Sequence, residues 1–96
     1  MKEKDTYPGE FLSVMQNIAG DKKLLNAFLI DLLTPREYND ITVRWQIVKR
    51  LYKGAPQREI AKDLGVSVAT ITRGSRELLD KKGGFRQVLD RYGTKS

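Results

Sequence analysis

Between Gln57 and Leu79 the chain reads QREIAKDLGVSVATITRGSRELL, and these residue types suit recognition of a polyanion better than catalysis. Ala61, then Gly65 four residues on, then Ile71 six further, set out a helix crossing, a turn and an apolar anchor. That is the spacing of a helix-turn-helix. Gln57–Leu64 predicts a two-turn helix with Ile60 and Leu64 inward. Ser67 can cap a second helix whose Val68 and Ile71 face back. Ala69, Thr70, Thr72 and Arg73 then lie near the exposed front. The first three are short enough for the helix backbone to approach base edges and phosphates in a DNA major groove.

Catalysis has little to work with. Cysteine and histidine are both absent, which excludes a disulfide framework, a Cys/His zinc site, a thiol nucleophile and an imidazole base. Ser13, Ser67 and Ser75 therefore lack a base, and Glu37 with Asp40 reads as a solvent-facing helix start rather than an acid/base pair. No catalytic and no metal-ligating residues are expected, and the chain is not expected to be an enzyme.

Charge points the same way. Residues 1–43 hold five basic and seven acidic side chains, a net of −2, whereas residues 44–96 hold thirteen and five, a net of +8. All the net positive charge lies in the second half, where a phosphate-rich partner would dock. Without a long apolar run, and with the polar start MKEKDTYPGE, the sequence predicts a soluble cytoplasmic protein that neither spans nor binds a membrane.

The elements that must position these residues are helices, because apolar residues recur at three and four rather than at two. The 96 residues fit one all-α domain, with 40% hydrophobic and 31% charged residues and no internal repeat. Pro8 is placed to open a first helix with Phe11, Met15 and Ile18 on one face, and Gly20 to end it. Asp21 caps a second, whose run Leu24, Leu25, Ala27, Phe28, Leu29, Ile30, Leu32, Leu33 is apolar on nearly every side and demands burial all round. A subunit interface is the natural place for it.

Thr34, Pro35 and Glu37 form a capping box with proline at the first helical position. The helix they open carries Tyr38, Ile41, Trp45, Val48, Leu51 and Tyr52 on a shared face, and Gly54 ends it. Trp45 belongs to that stripe as a core or interface aromatic. Lys81 to Gly84 break the pattern before a short last helix with Phe85, Val88, Leu89 and Tyr92 inward, and the tail Gly93 to Ser96 is expected to fray. The domain thus divides into dimerisation and core helices (1–54), a helix-turn-helix reading head (57–79) and a C-terminal helix (85–92).

LLTPREYNDITVRWQIVKRLYKG followed by QREIAKDLGVSVATITRGS resembles the bacterial Trp repressor family, with ATITRGS the most specific phrase. The resemblance implies a Trp repressor-like helical bundle, assembled as an intertwined homodimer with two reading heads whose tilt depends on bound L-tryptophan as corepressor. It implies a ligand pocket in which Arg44 and Arg73 sandwich the indole ring, Arg73 also meeting the ligand carboxylate. Planar guanidinium suits both tasks better than lysine. Thr34 matches a residue at the ligand's polar end, Leu33 one whose carbonyl holds the ammonium, and Gly74 a glycine that leaves room beside the ring. Thr70 falls in both the ligand set and the DNA set.

On the DNA side, Arg58 matches the family's guanine-reading arginine, and Gln57, Val68, Ala69 and Thr72 match positions that approach operator phosphates and bridging waters. Lys62 and Arg76 are added as phosphate contacts from their charge and place. Two residues depart from the family pattern: Glu77 replaces a serine near the ligand's ammonium, and Ala61 replaces a basic residue. Glu77, four residues after Arg73, could pair with that arginine or hold an ammonium itself. Three functions stay open: a tryptophan- or amine-controlled operator binder, a ligand-independent DNA-binding regulator with Arg73 and Glu77 locked, and a basic helical module that docks on an acidic protein.

Overall fold

The computed structural model describes residues 2–92, with side chains from Thr6 onward. The expected fraying of Gly93 to Ser96 lies outside the described residues. Six helices and no strands occur among the described residues: α1 (Lys2–Ile18), α2 (Lys22–Leu32), α3 (Pro35–Tyr52), α4 (Gln57–Leu64), α5 (Val68–Leu79) and α6 (Gly84–Tyr92). The chain is all-α. It forms two compact units, residues 1–38 and 39–96, with α3 beginning in the first and continuing through the second.

In the first unit, α1 starts six residues before Pro8 and runs through it, so Pro8 does not open the helix. A proline inside a helix donates no hydrogen bond to the carbonyl one turn back, and α1 tolerates that local loss near its amino end. Asp21 caps α2 as its sequence requires, its carboxylate accepting from Leu24 N at 3.1 Å. Phe11 on α1 and Phe28 on α2 face each other, ring centroids 6.3 Å apart, and the Tyr38 hydroxyl donates to Asn26. Even so, α2 has no buried residue, and Leu24, Ile30 and Leu32 each stay about half exposed. The all-round burial demanded by its apolar run is not met within one chain.

The second unit holds the core. Ile47 of α3, Ile60 and Ala61 of α4 and Ile71 of α5 pack together, with Val43, Leu51, Ala55, Leu64 and Val66 around them. The buried stripe of α3 is therefore Val43, Ile47 and Leu51 with Val48, whereas Ile41, assigned inward from the sequence, is 49% exposed. At 3.6 residues per turn, Ile41 sits about 120° around the helix from Ile47. A similar correction applies to α5 and α6. Val68 is 48% exposed, because the inward stripe starts one turn later at Ile71 and continues through Gly74; on α6 Leu89 is buried while Val88 and Tyr92 stay exposed.

Local chemistry sets the boundaries. Gly54 ends α3 at φ 89°, and Gly65 ends α4 at φ 67°, the left-handed backbone that glycine adopts without Cβ strain. Val66 N then bonds back to Ala61 O at 3.0 Å, and Ser67 Oγ accepts from Thr70 N at 3.2 Å to start α5. Ala61 is buried at this corner, so its small side chain serves the close crossing of α4 and α5. Tyr52 of α3 secures α6 by donating its hydroxyl to Asp90 at 2.8 Å beneath the Arg86 guanidinium, which lies 5.8 Å from its ring centroid.

Candidate ligand cavity and nucleic-acid interface

An open cavity of about 640 Å³ lies in the second unit, walled by α3, α5, the α4–α5 turn and the start of α6. Arg44 faces it from α3, and Thr70, Arg73, Gly74 and Glu77 face it from α5. The two arginines singled out in the sequence therefore share one space, although neither helix alone would suggest it. Val43, Ile47, Leu64, Val66 and Phe85 supply its apolar surface. Two guanidiniums over such a lining can stack on a planar ring and pair with a carboxylate.

Gly74 has a definite packing reason. A Cβ there would stand 3.1 Å from Ile47 Cγ2, so the missing side chain lets α5 lie close against α3. Its neighbours Arg73 and Glu77 are thereby held where they line the cavity. Among the described residues no ion pair joins Arg73 to Glu77; the ion pairs present are Arg50–Asp63 at 3.7 Å and Arg86–Asp90 at 3.3 Å.

Leu33 and Thr34 belong to the first unit and are not among the residues lining this cavity. Thr34 performs its capping role, its hydroxyl accepting from Glu37 N at 3.1 Å while Glu37 Oε1 accepts from Thr34 N at 2.8 Å. The Thr34 backbone N–H, donating to the carboxylate, holds the Glu37 carboxyl below its ordinary range, with the Thr34 side chain as the second cause. Asp40, which the sequence places at a solvent-facing helix start, is exposed and also lines the open cavity, together with Asn39. The i, i+4 spacing of Asp40 and Arg44 is the signal that could have placed them together.

The residues expected to face DNA gather on α4 and α5. Arg58, Lys62, Val68, Ala69, Thr70 and Arg76 are exposed. Gln57 and Thr72 are half-buried and meet each other, with Thr72 Oγ1 3.2 Å from Gln57 Oε1 and 3.0 Å from Val68 O. This pair ties the first residue of α4 to the second turn of α5. The amino end of α5 thus presents the small side chains of Ala69 and Thr70, and a helix amino terminus favours phosphate oxygens. Among the described residues no helix is long and apolar enough to cross a membrane, and no cluster of three or more His, Cys, Asp or Glu side chains could hold a metal.

Residues 9–93 match the family described as Trp repressor protein. The chain is 45% identical over 70 residues to the Trp operon repressor homolog of Vibrio parahaemolyticus, covering 72% of this chain and 68% of that protein. It is 39% identical over 79 residues to the Trp operon repressor homolog of Haemophilus influenzae, covering 81% and 78%.

Proposed function

The chain belongs to the Trp repressor family, and on that premise we propose that it is a homodimeric, sequence-specific DNA-binding repressor controlled by L-tryptophan or a related amine-bearing ligand. As a member of that family it is a transcription regulator and not an enzyme. One observation carries the ligand-controlled reading: a single helix, α5, lines the cavity with Thr70, Arg73, Gly74 and Glu77 while leaving Val68 and Ala69 exposed at its amino end. Whatever fills the space between Arg44 and Arg73 bears on the tilt of the helix that would meet the groove.

The mechanism is a population shift. A planar ligand held between the guanidiniums of α3 and α5 favours one orientation of α5, and it changes operator affinity only by as much as it prefers that orientation. The carboxylate pairs with Arg73. The reading head of residues 57–79 then docks α5 in the major groove, with Arg58 at a guanine edge and Lys62 and Arg76 on phosphates. Residues 1–54 supply the dimer interface, which the unburied apolar surface of α2 supports. Such a protein works in the cytoplasm and needs no metal.

Fluorescence anisotropy with labelled palindromic duplexes tests the proposal. Binding at low salt, a steep fall as salt rises, and tighter binding with L-tryptophan are the expected results. Failure to bind any duplex in dilute buffer would overturn it.

A further inference from the structure

The carboxyl end of α5 is held by a side chain from another helix. Leu78 is the last residue but one of α5, so its carbonyl has no partner farther along that helix. Lys82 N, which would supply one if α5 continued, donates to Asp80 Oδ1 at 3.0 Å instead. Arg86 of α6 fills the gap, its Nη1 reaching Leu78 O at 3.5 Å. The same guanidinium turns its Nε to Asp90 Oδ1 at 3.3 Å, and that oxygen also accepts from the Tyr52 hydroxyl of α3 at 2.8 Å. Three helices thus meet through one planar cation, which also lies 5.8 Å from the Tyr52 ring centroid. A lysine has neither the fork nor the plane to make all three contacts.

The place of these contacts gives them a consequence for the reading head. α5 lies against Ile47, Val48 and Leu51 of α3 at Gly74, and one turn farther on Arg86 ties it to the end of α3 at Tyr52. Toward its amino end the same helix borders the open cavity with Thr70 and Arg73. One end is tethered while the other faces open space. The link to α6 is short and self-bonded, with Gly83 N donating to Asp80 O at 3.0 Å and Gln87 Nε2 to Lys82 O at 2.8 Å. Leu89, fully buried, roots α6 itself. We propose that Arg86 is a positioning residue for DNA recognition: by joining Leu78 O to Asp90 and Tyr52 it fixes the carboxyl end of α5, so that changes of tilt are confined to swings of the amino end. This inference rests on the reading that α5 is the helix that enters the groove. Arg86 acts through α5 and not as a phosphate contact.

Fluorescence anisotropy on the full chain with L-tryptophan, using the palindromic duplex bound best and a random duplex of equal length, tests this against a plain charge effect. Arg86→Lys keeps the charge and breaks the tether, and is expected to weaken the palindrome about tenfold while leaving the random duplex within about twofold. Tyr52→Phe cuts the same chain of contacts at its other end, so the double variant should be little worse than Arg86→Lys alone. If thermal melts show Arg86→Lys unfolded, Tyr52→Phe carries the same comparison. Amide exchange in the free chain separates local from global loosening: protection is expected to fall at residues 78–83 and to stay unchanged at residues 57–65. A fall throughout makes the role of Arg86 merely structural and overturns the inference, as does equal loss on both duplexes or full additivity in the double variant. A parent and an Arg86→Lys chain that bind the palindrome equally overturn the positioning role alone. A parent chain that binds neither duplex overturns the proposed function, and the positioning role with it.

Discussion

A Cβ on Gly74 of α5 would lie 3.1 Å from Ile47 Cγ2 on α3, with Leu51 Cδ1 at 3.6 Å and Val48 Cγ2 at 3.7 Å. Ile47 and Val48 are both buried, so the nearest neighbour has little room to withdraw. Alanine would gain up to about 1 kcal/mol in helix propensity over glycine. Forcing an extra methyl into a packed interface costs about 1–3 kcal/mol. Gly74→Ala is therefore expected to destabilise the fold by about 1 kcal/mol and to weaken ligand binding by shifting Arg73 and Glu77. Urea denaturation measures the first effect, and a variant more stable than the parent would show that the close approach is not limiting.

The capping chemistry was legible in the sequence because it is local. Thr34 with Glu37, Asp21, and Gly65 with Ser67 each act within a few residues, and each does in the fold what its type and position require. Facing was harder to read. On α3 the apolar residues cover a wide arc, and the part that is buried depends on α4 and α5, which selects Val43, Ile47 and Leu51 and leaves Ile41 outside. The cavity was legible only through family resemblance, since Arg44 and Arg73 lie on separate helices. Asp40 was missed because its acid character suited a helix start equally well.

The capping box of α3 makes stability depend on pH in a defined direction. Hydrogen bonds from Thr34 lower the pKa of Glu37 in the folded chain. A depressed carboxyl contributes stability that is fully present above its unfolded pKa and is lost as pH falls through its folded pKa. Compared with Glu37→Gln, the parent chain should hold its full advantage near neutrality and lose it in the acid range. Urea midpoints at a series of pH values measure this, and a difference independent of pH would remove the charged cap from the account.

At the other end of α3 the sign reverses. Donation of the Tyr52 hydroxyl to Asp90 raises the pKa of Tyr52, reinforced by partial desolvation and the charge of Asp90, and Arg86 opposes the shift. Because this group is neutral when protonated, its contribution is present below the unfolded pKa and is lost as pH rises through the folded one. Tyr52→Phe should loosen α6 at neutral pH and cost little in strong alkali. Amide exchange over residues 84–92 reads the loosening directly. Equal protection of α6 in both proteins would mean that the burial of Leu89, rather than the Tyr52–Asp90 bond, holds the helix.

Arg58 and Arg76 are both exposed on the reading head, yet the proposed function assigns them different work. Arg58 lies in the first turn of α4 and, in the proposed function, reads a base edge, where bidentate donors to guanine discriminate by about 1–3 kcal/mol. Arg76 lies farther along α5 and is placed to meet phosphate alone. Arg58→Ala should relax preference at one base pair of each half-site, with little loss on non-specific DNA. Arg76→Ala should weaken all sequences alike and lower the slope of log affinity against log salt by about 1. Anisotropy over a set of singly substituted operators at several salt concentrations distinguishes them. If Arg58→Ala lowers specific and random affinity equally, base readout belongs to the exposed amino end of α5 instead.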